Sequence, residues 1–153
     1  YLYPAGILPD LASSGYGVLL NTGISARKYG IGAETGYYIF NCEEGVESMS
    51  IIPVMAEVNY TLPLFYNFSL RGIIKCGAAF SMIEYTVHNT GDPLISRITK
   101  NSGFDFMSSA GVSLKYDISE KINISGGAEY SVIFESSGRM EFAAVSFGAG
   151  ITF

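Results

Sequence analysis

Six ionisable residues carry most of the chemistry this chain could do: Glu34, Glu57 and Glu129 on the acidic side, Arg71, Lys75 and Lys115 on the basic side. Three charges of each sign, gathered out of water, would either line a narrow aqueous pore or lock into ion pairs, because a buried charge without a partner costs several kcal/mol. Other candidates carry less. Glu43, Glu44 and Glu47 offer oxygen atoms to calcium but lack the ligand spacing of a calcium loop, so they read as solvated charge and no metal site is expected. Gly30, Gly32 and Gly36 are small enough for a phosphate loop, yet no helical pattern follows them, and they read as small interior residues. Nothing in the sequence calls for a cofactor.

The six charges share one property of placement. Each falls in a segment where apolar residues recur at every second position, the period of an extended strand with two unlike faces. In residues 29–39, Tyr29, Ile31, Ala33, Thr35, Tyr37 and Ile39 alternate with Gly30, Gly32, Glu34, Gly36 and Tyr38. In residues 52–62, Ile52, Val54, Ala56, Val58, Tyr60 and Leu62 oppose Pro53, Met55, Glu57 and Asn59. Residues 68–82 follow the same rule, with Arg71 and Lys75 on the polar side and Ile73 and Ile83 breaking it. The cleanest pair is 104–118 and 122–134, where Lys115 and Glu129 stand among Gly and Ser opposite Phe104, Phe106, Val112, Leu114, Ile124, Tyr130 and Phe134. Residues 15–26 alternate as well, and residues 1–14, with Pro4 and Pro9, read as a loop with at most a short strand at its start.

Composition is consistent with this pattern. A chain of 153 residues is one domain, and 48% of it is hydrophobic. No stretch approaches the roughly 18 consecutive apolar residues of a membrane helix, so the hydrophobicity is spread by alternation. Eleven Tyr, ten Phe and eighteen Gly suit strands with aromatic belts and a crowded interior. The net charge of −5 gives no basic footprint for nucleic acid. Tyr1 to Ala5 have neither the basic start nor the long apolar run of a signal peptide, which fits the mature form, or a trimmed piece, of an exported protein.

The last stretch, residues 141–153, organises the rest. Ala143, Val145, Phe147, Ala149, Ile151 and Phe153 share one side of an extended chain, and Ala144, Ser146, Gly148, Gly150 and Thr152 the other. An aromatic final residue preceded by apolar residues at every second position resembles the C-terminal strand motif of bacterial outer-membrane β-barrels, which the barrel-assembly machinery reads during insertion. Connection lengths alternate too. Turns near 27, 65 and 119 are short, while 4–14, 41–50, 87–102 and 135–140 are longer or more polar, as in barrels with short periplasmic turns and long external loops.

Residues 15–153 thus resemble the small outer-membrane barrels typified by the OmpA membrane domain, OmpX and OmpW. The resemblance implies an all-β, antiparallel, up-and-down transmembrane barrel of eight strands in the bacterial outer membrane, surrounded by lipid. Seven strands are legible, so the first is expected to be short or to lie before Tyr1, with Tyr1 to Tyr3 as its external end. A strand lent by another envelope subunit is the alternative. The resemblance further implies a non-enzymatic structural, adhesive or assembly role through the external loops, and assigns Phe147, Ala149, Ile151 and Phe153 to the insertion motif. Some outer-membrane lipid hydrolases place a His, a Ser and a Glu near a strand's external end, where His88 and Glu84 lie here; no serine stands at matching spacing, and His88 reads as a surface residue.

Three residue-level expectations follow. The six charges fill a sealed polar lumen, since an eight-stranded barrel is only wide enough for its own side chains. Lys115 pairs with Glu129 on the neighbouring inward face. Cys42 and Cys76 stay free thiols, because two strand spacings, about 9–10 Å, exceed what a disulfide spans. The competing architecture is a soluble, lipocalin-like barrel around an apolar ligand, which would put the large apolar residues inside and the charges outside. The small, charged face is the one around which strands can close.

Overall fold

The computed structural model describes residues 1–6, 12–42, 46–88, 96–135 and 138–152. Eight antiparallel strands follow one another around a closed barrel: β1 (Leu2–Gly6), β2 (Ala12–Ala26), β3 (Tyr29–Cys42), β4 (Val46–Pro63), β5 (Phe68–His88), β6 (Ser96–Asp117), β7 (Ile122–Glu135) and β8 (Gly138–Ile151). Each strand pairs with the next in sequence, and β1 returns to β8 with Leu2 opposite Ala144 and Gly6 opposite Met140. The up-and-down order follows from the alternation, because register is pinned wherever the two faces of a strand meet different surroundings.

The short connections lie together at one end of the barrel, here the turn end. Arg27 and Lys28 join Ala26 to Tyr29, with Arg27 held at φ 56°. Residues 64–67 close the second turn through Leu64 N–H to Phe68 O and Phe68 N–H to Phe65 O, both 3.0 Å. In the third, the Ser119 hydroxyl accepts the amide of Ile122 at 3.1 Å, the usual service of serine in a turn. The opposite end, where Gly6, Cys42, His88 and Glu135 close their strands, is here the loop end; residues 7–11, 43–45, 89–95 and 136–137 lie outside the described residues.

Several strands run further than alternation suggested. Residues 88–102 read as a polar loop, yet β5 continues to His88 and β6 begins at Ser96, paired to each other in unbroken register. A ladder that projects beyond an apolar band has polar surroundings on both faces, so its backbone bonds persist where the sequence loses its two-face signal. The first strand is short, as expected: it lies at Leu2–Gly6 and extends past Tyr3 toward the loop end. Pro4 is tolerated there. Tyr1 exchanges hydrogen bonds with Val145, so by alternation Pro4 turns its donor-free nitrogen away from β8 and toward β2, with which β1 is in register only at Leu2 and Gly15. Pro53 has a similar effect inside the sheet: the β3–β4 register is interrupted between Thr35–Val54 and Tyr38–Ile51, and the Thr35 hydroxyl bonds the Pro53 carbonyl at 2.9 Å.

Side chains sort by parity. Val18, Leu20, Ile24, Ile31, Val54, Val58, Ile74, Val112 and Phe147 point outward and are exposed. Inward positions toward the loop end form an apolar core of Leu2, Tyr38, Phe40, Met49, Ile51, Met107, Ile133, Met140 and Phe142, none more than 3% exposed. This corrects the expectation of a small, polar interior throughout. Ile83, which broke the alternation rule, belongs to this core.

Candidate functional site: the charged centre of the lumen

Below the apolar core, alternate strands aim charged side chains at one another across the barrel. Lys75 of β5 reaches Glu34 of β3, its ammonium 2.7 Å from both carboxylate oxygens, and Glu129 of β7 at 2.6 Å. One cation thus ties three strands that are not neighbours. Glu57 of β4 collects Asn21 Nδ2 at 2.6 Å, Asn59 Nδ2 at 2.9 Å and the Arg71 guanidinium. Glu34, Glu57 and Lys75 are buried, so every charge needs this pairing. Three carboxylates against two cations leave the cluster with a formal charge of −1.

Small residues make the room. Gly111 stands opposite Glu129 in the β6–β7 register, and a Cβ added there would come within 3.0 Å of the Glu129 Cα and Cβ. At Gly30 a Cβ would lie 2.7 Å from the amide oxygen of Asn59, displacing a side chain that holds Glu57. Gly30 was read as filler, and its neighbour Asn59 was on the inward list without a role. Asn21 and Asn59 are the network members the sequence reading missed, although an amide beside an inward glutamate is the usual way to satisfy a carboxylate's remaining lone pairs.

Lys115 does not join the network. It pairs with Asp117, two residues along its own strand, at 2.8 Å, and both are partly exposed near the turn end. Glu129 faces Gly111, four positions from Lys115 along β6, about 13 Å in an extended strand, so the expected Lys115–Glu129 pair is ruled out by depth. The charges therefore form two groups: Glu34, Glu57, Arg71, Lys75 and Glu129 at the centre, and Lys115 with Asp117 nearer the turns.

Above the centre the lumen is filled. Phe142 packs edge-on against Tyr38 and Phe40, ring centroids 5.5 and 5.7 Å apart, and is 0% exposed. Between the two layers the hydroxyls of Ser109 and Ser131, opposite each other in the β6–β7 register, are buried with no partner among the described residues. What this arrangement does chemically is cross-link the strands and fill the middle of the barrel. His88 contributes only its backbone to the described residues, at the end of β5, so the reading of His88 with Glu84 lies outside them. Among the described residues no cluster of three His, Cys, Asp or Glu is placed to hold a metal ion. Cys42 and Cys76 are free thiols, Cys76 on the outer face.

The outer wall carries the other candidate positions. Phe147 is 87% exposed, and Ala149 and Ile151 point the same way; Phe153 lies outside the described residues. Aromatic pairs stand on the wall at two levels. Near the turns Phe68 meets Tyr116 and Tyr29 meets Tyr60, with centroids 4.7 and 5.2 Å apart. Twelve positions along β5 from Phe68, Phe80 meets Phe104 at 4.8 Å. In strands tilted about 45° that interval corresponds to roughly 28 Å of height.

No family model matches the chain, and no curated protein matches it. Among solved structures it is similar to the crystal structure of Neisserial surface protein A, with a TM-score of 0.68 at 11% sequence identity, covering 99% of this chain and 91% of that one. At that identity the likeness shows the fold: an all-β, eight-stranded, antiparallel up-and-down barrel.

Proposed function

We propose that the chain is a non-enzymatic outer-membrane barrel, in the manner of the small barrels it resembles, that holds the connections at its loop end outside the cell for a structural, adhesive or envelope-assembly role. One observation carries this reading. Large apolar residues are exposed along the outer wall, and the levels of its aromatic pairs are separated by roughly 28 Å, close to the roughly 30 Å hydrocarbon thickness of a bilayer. The charges are inside and paired. A soluble ligand-binding barrel would need the reverse, and among the described residues Tyr38, Phe40 and Phe142 pack across the lumen toward the loop end.

In this reading outer-membrane lipid is the partner along the whole wall, and the barrel-assembly machinery reads Phe147, Ala149, Ile151 and the terminal Phe153 during insertion. The name of Neisserial surface protein A is consistent with a place at the cell surface. The packed Tyr38, Phe40 and Phe142 layer and the paired charges in the lumen favour an anchor over a channel. Expression in a bacterial host followed by membrane fractionation tests the reading. The protein should remain with the outer membrane through a urea or carbonate wash, should require detergent for release, and should give no stepwise conductance in a planar bilayer. Recovery as a monodisperse protein without detergent would overturn it.

A further inference from the structure

The charges of the central layer are not matched evenly. Glu57 and Arg71 form one pair with Asn21 and Asn59 around it, one charge of each sign. The other group is Glu34, Lys75 and Glu129, two carboxylates on one ammonium, and the excess negative charge of the layer therefore lies there. Among the described residues no other inward cation is at hand. Lys115 pairs with Asp117 nearer the turns, and the next charged residue along inward β6 toward the loop end is Asp105, opposite Ala79 and itself an acid. An unmatched charge away from water is strongly destabilising, so this group calls for one more positive charge.

Beside the same group stand the two buried hydroxyls that bond to nothing. Ser109 and Ser131 are 6% and 1% exposed, and neither has a partner among the described residues. Register sets them against the excess charge. Ser109 faces Lys75 across the β5–β6 pair, Ser131 faces Ser109 across β6–β7, and Glu129 is the next inward residue from Ser131 along β7. Side chains directly opposite on one face have Cβ atoms about 5 Å apart, so two hydroxyl oxygens can converge on one small ion. Met107 and Ile133 lie on the loop-end side of the two serines, and Glu129, with 16% of its side chain exposed, is the member of the charged group that water reaches best.

Oxygen donors alone, with a single charge to be matched, select a hard cation of charge +1. The group offers no thiolate or imidazole for zinc or copper, and a divalent ion would overshoot the deficit. We infer that the lumen holds one monovalent alkali cation, sodium or potassium, between the Ser109 and Ser131 hydroxyls and the Glu129 carboxylate. Bound there, the ion takes lone pairs from both hydroxyls and brings the charge of Glu34, Lys75 and Glu129 to zero. The central layer is then a cation site as well as a cross-link between strands.

Urea unfolding in detergent micelles tests this, run in sodium chloride, potassium chloride or choline chloride at equal ionic strength, choline being too large for the space between two serines. An ion that binds only the folded chain raises the folded-to-unfolded ratio by about 10-fold when its concentration is about ten times its dissociation constant. The unaltered chain should gain a factor of that order in sodium or potassium over choline. Ser109→Ala with Ser131→Ala gives the sharper reading. If no ion binds, it removes two unpaired hydroxyls and leaves the chain as stable or more so in every salt. If the ion binds, the double variant loses the alkali advantage and falls below the unaltered chain in the alkali salt only. Glu129→Gln removes the excess charge and should be equally stable in all three salts, which keeps the test open should the double variant fail to fold. Two outcomes would overturn the inference. One is equal stability of the unaltered chain in all three salts, which together with a gain on acidification would assign the missing charge to a proton. The other is an alkali advantage undiminished in both variants, which would place the ion elsewhere on the chain.

Discussion

The two layers of the lumen are built from inward positions of one barrel, with β3, β4 and β7 feeding both, yet they hold together by different physics. Toward the loop end Tyr38, Met49, Ile51, Met107, Ile133 and Phe142 interlock as an apolar core, each contact contributing locally. In the middle Glu34, Glu57, Arg71, Lys75 and Glu129 depend on one another, because no single charge is tolerable there alone. The comparison teaches what an eight-stranded barrel asks of its interior: filled volume everywhere, and chemistry only where a charge can be matched. Substitutions in the apolar layer should therefore couple only where the side chains touch, and those in the charged layer should couple throughout.

The largest effect is expected at Lys75. Lys75→Met leaves Glu34 and Glu129 buried without their shared cation, and should cost about 5 kcal/mol in urea unfolding from detergent micelles, the upper end for breaking a buried pair. Adding Glu34→Gln and Glu129→Gln to the same chain should recover most of that loss, since an uncharged set of similar volume has no desolvation to offset. A triple variant as unstable as the single one would show that the layers do not differ in this way.

Phe142→Ala tests the other layer. It removes a fully buried ring that meets two other aromatic side chains, and the cost should be about 3–4 kcal/mol from lost transfer and residual cavity. Combined with Lys75→Met, the two losses should sum to within about 0.5 kcal/mol if the layers are independent, while Phe142→Ala with Tyr38→Ala should fall short of additivity because the rings touch. Strong coupling between Phe142 and Lys75 would mean that the layers act as one.

Which of these features the sequence discloses depends on where each strand lies. Alternation made the barrel and its inward face legible over most of β2 to β8, because lipid-facing and lumen-facing positions differ in chemistry. The apolar layer was hidden by that same rule: Tyr38, Met55 and Met107 fall on the side labelled polar, and a strand read as two faces does not show that one face changes character along its length. The signal was there. Large inward residues recur at the loop-end third of β3, β4, β6, β7 and β8, and lining the strands up by their turns would have stacked them into one level. Past Met82 the apolar residues of β5 change parity, with Ile83, Tyr85 and Val87 alternating with Glu84, Thr86 and His88, so the end of the strand reads as a break in the pattern. The ion pairs were legible as composition, three acids and three bases, but their partners required strand depth, which parity alone does not give.

Lys115 is where depth decides, and it gives the smallest of these effects. Parity and neighbouring strands put Lys115 and Glu129 on one list, but the β6–β7 register separates them by four positions along the strand, and Lys115 instead meets Asp117 at a partly exposed site near the turns. An ion pair in reach of water contributes little, because solvent screens both charges and two flexible side chains must be held. A double-mutant cycle on Lys115→Gln and Asp117→Asn should give a coupling of about 0.2–1 kcal/mol, and the cycle on Lys115→Gln and Glu129→Gln should give none beyond error. Coupling to Glu129 above about 1 kcal/mol would place Lys115 inside the central network and erase the boundary drawn here between the buried charges and those at the turn end.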